Sequence, residues 1–316
     1  MSGSLILALD GSTGPCSVAL LELGAESVGS SPRPVALSVR SVQDSRAHAR
    51  MLLLLADESL KEVGAVPRDL RAVVVGTGPG TFTGVRVTVA TARGIGLALD
   101  IPVLGVSTLS ALVAWAVGAP TAGVERRSWK PGDVVVTVVD ARRGQLFYSA
   151  YAPCGRGDPD SWRRLGEIGV CSPESLPERL AGLLKESVGI DSDLGRETWV
   201  IGEPTLLAGL PRERGIGMVA TDVSAEWLVM GQPALEEPER PVGGIALARW
   251  LLRTVAQDTP WSAQGLPAGA LGTPESVVPI YVRAPDADLH ITKMRDPWSD
   301  REDREFRGDS RGRHRP

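Results

Sequence analysis

Ala72-Val73-Val74-Val75-Gly76-Thr77-Gly78-Pro79-Gly80-Thr81-Phe82-Thr83-Gly84-Val85-Arg86-Val87-Thr88-Val89-Ala90 reads as an apolar strand, a glycine-rich turn and the start of a helix. Glycines accept positive φ and let other backbone approach closely, and the free N–H groups at the start of the following helix are where phosphate loops hold an anion. Two readings of the turn stand side by side: an anion-binding loop, or a tight turn that lets helix and strand pack closely. The stretch lacks the Gly-Lys-Ser/Thr ending of a Walker A loop and fits no G-x-G-x-x-G register, so neither of those mechanisms is encoded.

The helix that follows, expected over 83–99, carries Arg86 and Arg93 on one stripe and is otherwise almost wholly apolar or small. Gly84, Thr88, Ala92 and Gly96 recur at every fourth residue, and such a stripe lets a second helix come unusually near. Upstream, a helix expected over 45–63 places Leu52, Leu53, Leu55, Ala56, Leu60 and Val63 on one broad apolar face and Ala47, Met51 and Leu54 on another side. The sheet of the same lobe covers the first face. The Ala47/Met51/Leu54 stripe and the Gly84/Thr88/Ala92/Gly96 stripe together predict a two-helix surface that meets a partner, the bland alternative being burial under the second half of the chain.

Working outward, strands are expected near 5–9, 17–23, 35–41, 71–76 and 101–106, with a helix over 108–117. A Pro/Gly/charged connector fills 118–132. Val134-Val135-Val136-Thr137-Val138-Val139-Asp140 then opens a second copy of the pattern, followed by strands near 145–151 and 165–171, a helix over 175–186, a short strand at 200–202, and helices near 204–210, 224–230 and 244–257. Two copies of a three-stranded meander followed by alternating helices and strands describe a duplicated, ribonuclease-H-like α/β fold, the two-lobed architecture of the actin, hexokinase and Hsp70 group. The expected division is an N-terminal lobe over 1–107, a C-terminal lobe over 108–283 and a charged tail over 284–316. In that group two Asp-bearing turns grip the phosphates and magnesium of ATP, and Asp10 and Asp140 occupy the matching places here. The candidate nucleotide-binding residues are Asp10, Ser12, Thr13, Gly78, Gly80 and Asp140, which would make the chain an ATP-dependent transferase or kinase. Against this, Asp140-Ala141-Arg142-Arg143-Gly144 puts two long cations where glycines would let a phosphate approach, and the two aspartates are alternatively vestigial turn residues.

The 316 residues are enough for about two domains. A formal net charge of −4, with 34 cationic against 38 acidic side chains, gives no electrostatic footprint for a nucleic-acid binder. Cys16, Cys154 and Cys171 are an odd number at no ligand spacing, which fits reduced thiols and a cytoplasmic protein. The apolar run Leu5 to Leu9 stops at Asp10, too short for a signal peptide or membrane span. Within the tail, Asp296 to Pro316 is almost wholly charged, Gly or Pro, with Trp298 and Phe306 its only large apolar residues; Arg307, Arg311, Arg313 and Arg315 read as a solvated segment or as a contact for RNA or an acidic partner. Catalytic groups are scarce. His48, His290 and His314 are the only histidines, Leu52 follows His48 at one-turn spacing so that no ligand pair exists there, and no G-x-S-x-G nucleophile context appears. No catalytic residue and no metal ligand set is assigned.

Leu5 to Thr13 with Cys16 to Leu21, Arg46-Ala47-His48, Val75 through Arg86, Ile101 to Leu109, Asp140-Ala141-Arg142-Arg143-Gly144 and Pro279-Ile280-Tyr281-Val282-Arg283 together resemble the bacterial TsaB family of tRNA threonylcarbamoyladenosine biosynthesis proteins. The resemblance implies the duplicated actin-like fold and a non-catalytic role beside TsaD, the subunit that transfers the threonylcarbamoyl group to adenosine 37 of tRNA, with TsaE as an ATPase completing the assembly. It implies docking through the two N-terminal helices onto TsaD or onto a second copy as a homodimer, with tRNA met only indirectly. TsaD relatives carry an H-x-x-x-H metal pair on the helix that corresponds to 45–63, where this chain has His48 and Leu52. No resident cofactor is therefore expected, and weak ATP or ADP binding would belong to the partner interface. Pro241-Val242-Gly243-Gly244 resembles an adenosine-binding turn of active relatives. A peptidase acting on its partner, an activity sometimes proposed for the family, has no nucleophile–base pair to support it here.

Overall fold

The computed structural model describes residues 4–13, 16–23, 34–42, 48–118, 132–153, 161–188, 198–210, 216–220, 234–237, 240–241 and 272–282. The first half builds β1 (Ser4–Asp10), β2 (Cys16–Leu23), β3 (Pro34–Val42), α1 (His48–Glu62), β4 (Leu70–Gly76), α2 (Phe82–Leu99), β5 (Val103–Val106) and α3 (Thr108–Gly118). Its five-stranded sheet runs β3-β2-β1-β4-β5. The meander strands pair antiparallel, and β1–β4 and β4–β5 pair parallel. A parallel pair needs a crossover, and α2 supplies it between β4 and β5. Ala72, Val73, Val74 and Val75 are all fully buried, because a central strand covered on both faces has no place for the polar half of an alternating pattern.

The second half repeats this plan with β6 (Val134–Arg142), β7 (Gln145–Pro153), β8 (Ser161–Cys171), α4 (Leu176–Val188), β9 (Thr198–Gly202), α5 (Pro204–Ala208) and β10 (Ile216–Ala220). Within its sheet the order β8-β7-β6-β9-β10 has the same sequence of antiparallel and parallel neighbours as the first. The fold is thus a duplicated ribonuclease-H-like α/β architecture. Two short strands, β11 (Ala234–Glu237) and β12 (Arg240–Pro241), extend the sheet beyond β8. Neither these nor β10 was expected from sequence. The β10 run Ile-Gly-Met-Val-Ala is interrupted by Gly217, and only the tertiary structure supplies the reason: the Trp199 ring occupies the space a side chain there would need. The expected helices at 224–230 and 244–257, the connector and the tail lie outside the described residues.

Helix ends follow local chemistry. α1 stops at Gly64, with φ +69, where Ala65 N–H returns to the Leu60 carbonyl at 2.9 Å. α2 stops at Asp100 in the left-handed region, φ 52, its N–H on the Gly96 carbonyl, two residues before Pro102. Both helices bury one face on the same side of the first sheet: Leu52, Leu55, Ala56 and Leu60 from α1 join Val85, Val89 and Ala92 from α2 in one core with Leu7, Leu9, Val73 and Val75. α3 instead lays Leu109, Leu112 and Val113 against Val135, Val139, Phe147 and Tyr151 of the second sheet. Residues 272–282, placed by the sequence in the C-terminal lobe, pack on the first sheet. Val277 is 3% exposed in the core of β1 and β4, Val103 N–H donates to the Gly272 carbonyl at 2.9 Å, and Ile280 N–H donates to the Thr77 carbonyl at 2.8 Å.

Candidate functional site

The glycine turn lies directly on the first acidic turn. The Asp10 carboxylate fills the space a side chain at Gly76 would need, and the Ser12 carbonyl does the same at Gly80. Thr81 N–H donates to the Ser12 carbonyl at 2.6 Å, and Thr81 Oγ1 donates to the Gly11 carbonyl at 3.4 Å. Gly78, at φ +88, gives its carbonyl to Thr108 N–H at 2.8 Å, and this bond ties the loop to the first residue of α3. The geometry accords with the tight-packing reading of the motif: each glycine marks a place where another part of the chain touches backbone.

Asp10, Ser12 and Thr13 are buried, and Asp10 Oδ1 accepts from Ser12 N–H at 3.0 Å and Ser12 Oγ at 2.7 Å. Asp140 makes the equivalent bond in the second copy, its Oδ1 accepting Arg142 N–H at 2.7 Å. It is more open, and Arg142 Nη1 lies 3.1 Å from its Oδ2. The two aspartates thus brace their own turns in the same way, as side chains two residues before a backbone donor do in an Asx-turn. Gly78, Gly80 and the Asp10 turn come together; in the second copy the cation that the sequence places after Asp140 sits on its carboxylate.

Among the described side chains of α1 the exposed ones are Arg50, Leu53, Leu54, Asp57, Lys61 and Glu62. Leu54, 42% exposed, lies on the outer side as the surplus stripe required, but its companions do not all follow. Met51 is half-buried against the core, and Ala47 lies outside the described residues. Leu53, assigned by sequence to the core face, is 54% exposed. Leu52 is fully buried in the core, so this position of the helix holds packing and not a ligand.

On α2 the small-residue stripe requires a correction. Gly84, Thr88, Ala92 and Gly96 are all buried within the chain. A side chain at Gly96 would overlap Val103, with Pro274 beside it, and Thr88 Oγ1 bonds back to the Gly84 carbonyl at 2.8 Å. At Gly96 the crowding comes from β5 and the 272–282 segment of this chain. The open stripe is Thr83, Arg86, Ala90, Gly94 and Leu97, with Leu97 61% exposed and nothing within 4 Å of a side chain built on Gly94. Sequence reasoning missed Leu53 and Leu97, since a helix apolar on nearly all sides does not say which side faces its own sheet. It also missed Phe82 and Tyr281, whose rings lie 5.9 Å apart with Arg86 over both. Their signal was in the sequence, in two motifs 195 residues apart that only the fold joins.

Charged groups secure α1 to the edge strand β3. Ser38 Oγ donates to Glu62 Oε2 at 2.7 Å, and Arg40 bridges Glu58 at 3.3 Å and Glu62 at 3.0 Å. The Ser38 hydrogen bond and then Arg40 hold the Glu62 carboxyl below its ordinary range. The Asp57 carboxylate, hydrogen-bonded to Lys61, raises that ammonium above its usual value. Burial pushes the Cys171 thiol upward, in the direction that favours its protonated form. Among the described residues no helix is long and apolar enough to cross a membrane.

Comparison with known proteins agrees with this layout. The profile of the family described as "TsaD: tRNA N6-adenosine threonylcarbamoyltransferase" matches residues 41–159. The "tRNA threonylcarbamoyladenosine biosynthesis protein TsaB" of Escherichia coli is 29% identical over 204 residues, covering 62% of this chain and 77% of that protein. The protein of the same name from Haemophilus influenzae is 31% identical over 184 residues, covering 57% of this chain and 69% of its own length. A crystal structure of a Pseudomonas aeruginosa protein, described as uncharacterized with similarity to peptidase YeaZ, superposes with a TM-score of 0.56 at 25% identity, over 89% of this chain and all of that one. With its duplicated fold, its glycine turn packed on the Asp10 turn and these relatives, the chain belongs to the TsaB family.

Proposed function

We propose that this chain works in the synthesis of threonylcarbamoyladenosine in tRNA as the docking partner of a TsaD-type transferase and performs no transfer chemistry alone. The observation that carries the reading is the open face of α1 and α2. Both helices bury their other side in one core, so Leu53, Leu54, Ala90, Gly94 and Leu97 point away from the sheet together. Exposed leucines beside exposed small residues fit the close approach of another helix pair. The fully buried Leu52 further supports a subunit that lends surface and not ligands. In this reading a TsaE-type ATPase completes the assembly in the cytoplasm, tRNA is met through the partner, no cofactor resides on the chain, and the same face closes a homodimer when the chain is alone.

The test is size-exclusion chromatography with light scattering, on the chain alone and mixed with the TsaD-family protein of the same organism, followed by an assay of threonylcarbamoyladenosine formation. A mixed complex that restores the modification, and is lost with Leu97→Glu, is the expected result. ATP hydrolysis by the isolated chain that disappears in Asp10→Ala, with no complex formed, would replace this reading by that of an ATP-dependent transferase.

A further inference from the structure

The open stripe of α2 carries Arg86, with the half-buried Arg93 two turns further along the same side, and the fold has fixed the position of Arg86. Its guanidinium carbon stands 3.6 Å from the centroid of the Phe82 ring and 5.3 Å from that of Tyr281, and its Nε donates to the Tyr281 hydroxyl at 2.8 Å. No carboxylate of the described residues pairs with it, although Arg40, Lys61 and Arg142 all have acidic partners. A guanidinium has five N–H donors in a rigid fork, and the contact to Tyr281 uses only the Nε side. The two terminal nitrogens remain, on an exposed residue whose orientation is already set by stacking.

We infer that Arg86 is a pre-organised carboxylate receptor on the docking face, taking an Asp or Glu side chain of the partner protein in a two-pronged pair, with Tyr281 as its positioning residue. The inference rests on the docking reading above and deepens it. Planar, bidentate recognition of a carboxylate is what a stacked arginine does best, and immobilising the side chain before binding removes part of the ordering cost. Arginine and tyrosine together, beside half-exposed Phe82, have the composition of an interface hot spot. A protein carboxylate fits better than a nucleic-acid phosphate for two reasons. The stripe continues from Arg86 as Ala90, Gly94 and Leu97, an apolar track suited to a helix. The chain's net charge of −4 gives no overall positive charge of the kind that nucleic-acid binders carry.

The experiment is calorimetric titration of the full chain with the purified TsaD-family protein of the same organism, using wild type, Arg86→Gln, Arg86→Lys, Tyr281→Phe and Leu97→Glu, each checked by thermal melting. Arg86→Gln is expected to weaken binding about tenfold, equivalent to about 1.4 kcal/mol. Arg86→Lys should recover only part of this, because an ammonium lacks the fork. Tyr281→Phe, which keeps the ring and loses the hydroxyl, should cost less than Arg86→Gln, with an unchanged melting temperature. Wild-type affinity in Arg86→Gln while Leu97→Glu fails to bind would overturn the receptor and leave the docking reading standing. No binding by the wild type would overturn both. A loss of tRNA binding by the isolated Arg86→Gln chain, with partner binding unchanged, would also overturn it and make Arg86 a phosphate contact.

Discussion

Gly80 and Gly94 are the same residue type in the same βα unit, and their surroundings give them opposite expectations. At Gly80 a methyl group would meet the Ser12 carbonyl, so Gly80→Ala must separate the glycine turn from the Asp10 turn. It should lower the melting temperature by the equivalent of about 1–3 kcal/mol, the usual cost of overpacking. Gly94 is exposed, lies inside a helix and has open space around it, so Gly94→Ala should raise the stability of the isolated chain by about 0.5–1 kcal/mol in a denaturant titration. The sequence made both glycines visible and did not say which was crowded, because crowding at Gly80 comes from a residue far away along the chain. Asp10 and Asp140 were legible as a matched pair from their strand ends alone. That each bonds the backbone N–H two residues later, at Ser12 and Arg142, is a local turn preference; that one is buried and the other is open is not.

At the scale of an element, α2 shows how a helix apolar all round misleads. Its length and its period were legible, and its orientation was not, since the moment of such a helix is too weak to choose a face. The structure turns Ala92 into the core and Leu97 outward. Ala92→Glu should therefore unfold the first lobe, seen as loss of the cooperative melt, because it buries an unpaired charge. Leu97→Glu should leave the melt unchanged and act on partner binding alone. α1 had a clearer pattern, yet Leu53 and Met51 exchange roles from those its periodicity assigned, because helix packing on both the sheet and α2 rotates the buried arc. Glu62 at its end gives a pH-dependent contact. Ser38 and Arg40 depress its folded-state pKa, so its contribution is present above the ordinary Glu value of about 4.3 and is lost as pH falls through the lower folded value. Glu62→Gln should lower the melting temperature at pH 7, and the difference from wild type should shrink as the pH falls below the ordinary Glu range.

For the whole molecule, the segment 272–282 is the clearest case of order made at a distance. Val277 fills the core of the first sheet although it lies far along the chain from β1 and β4. Val277→Ala should destabilise that core by about 2 kcal/mol, with amide exchange rising in β5 and α2 rather than in the second sheet. The duplicated architecture itself was readable, because strand runs ending in Asp, the glycine turn and the order of periodic segments are local properties that a chain of residues states directly. The main strands of both halves accordingly lie close to the stretches the sequence marks for them, while β10, β11 and β12 escaped because short strands gain their stability from neighbours and not from their own pattern. By itself the sequence determined the repeat, the type of the main elements and the scarcity of catalytic side chains. Only the tertiary structure decided which face of α2 stays open, which glycines are crowded, and that Phe82, Arg86 and Tyr281 meet. Those outcomes depend on contacts between residues remote along the chain, and a helix or a turn carries no record of what will be packed against it.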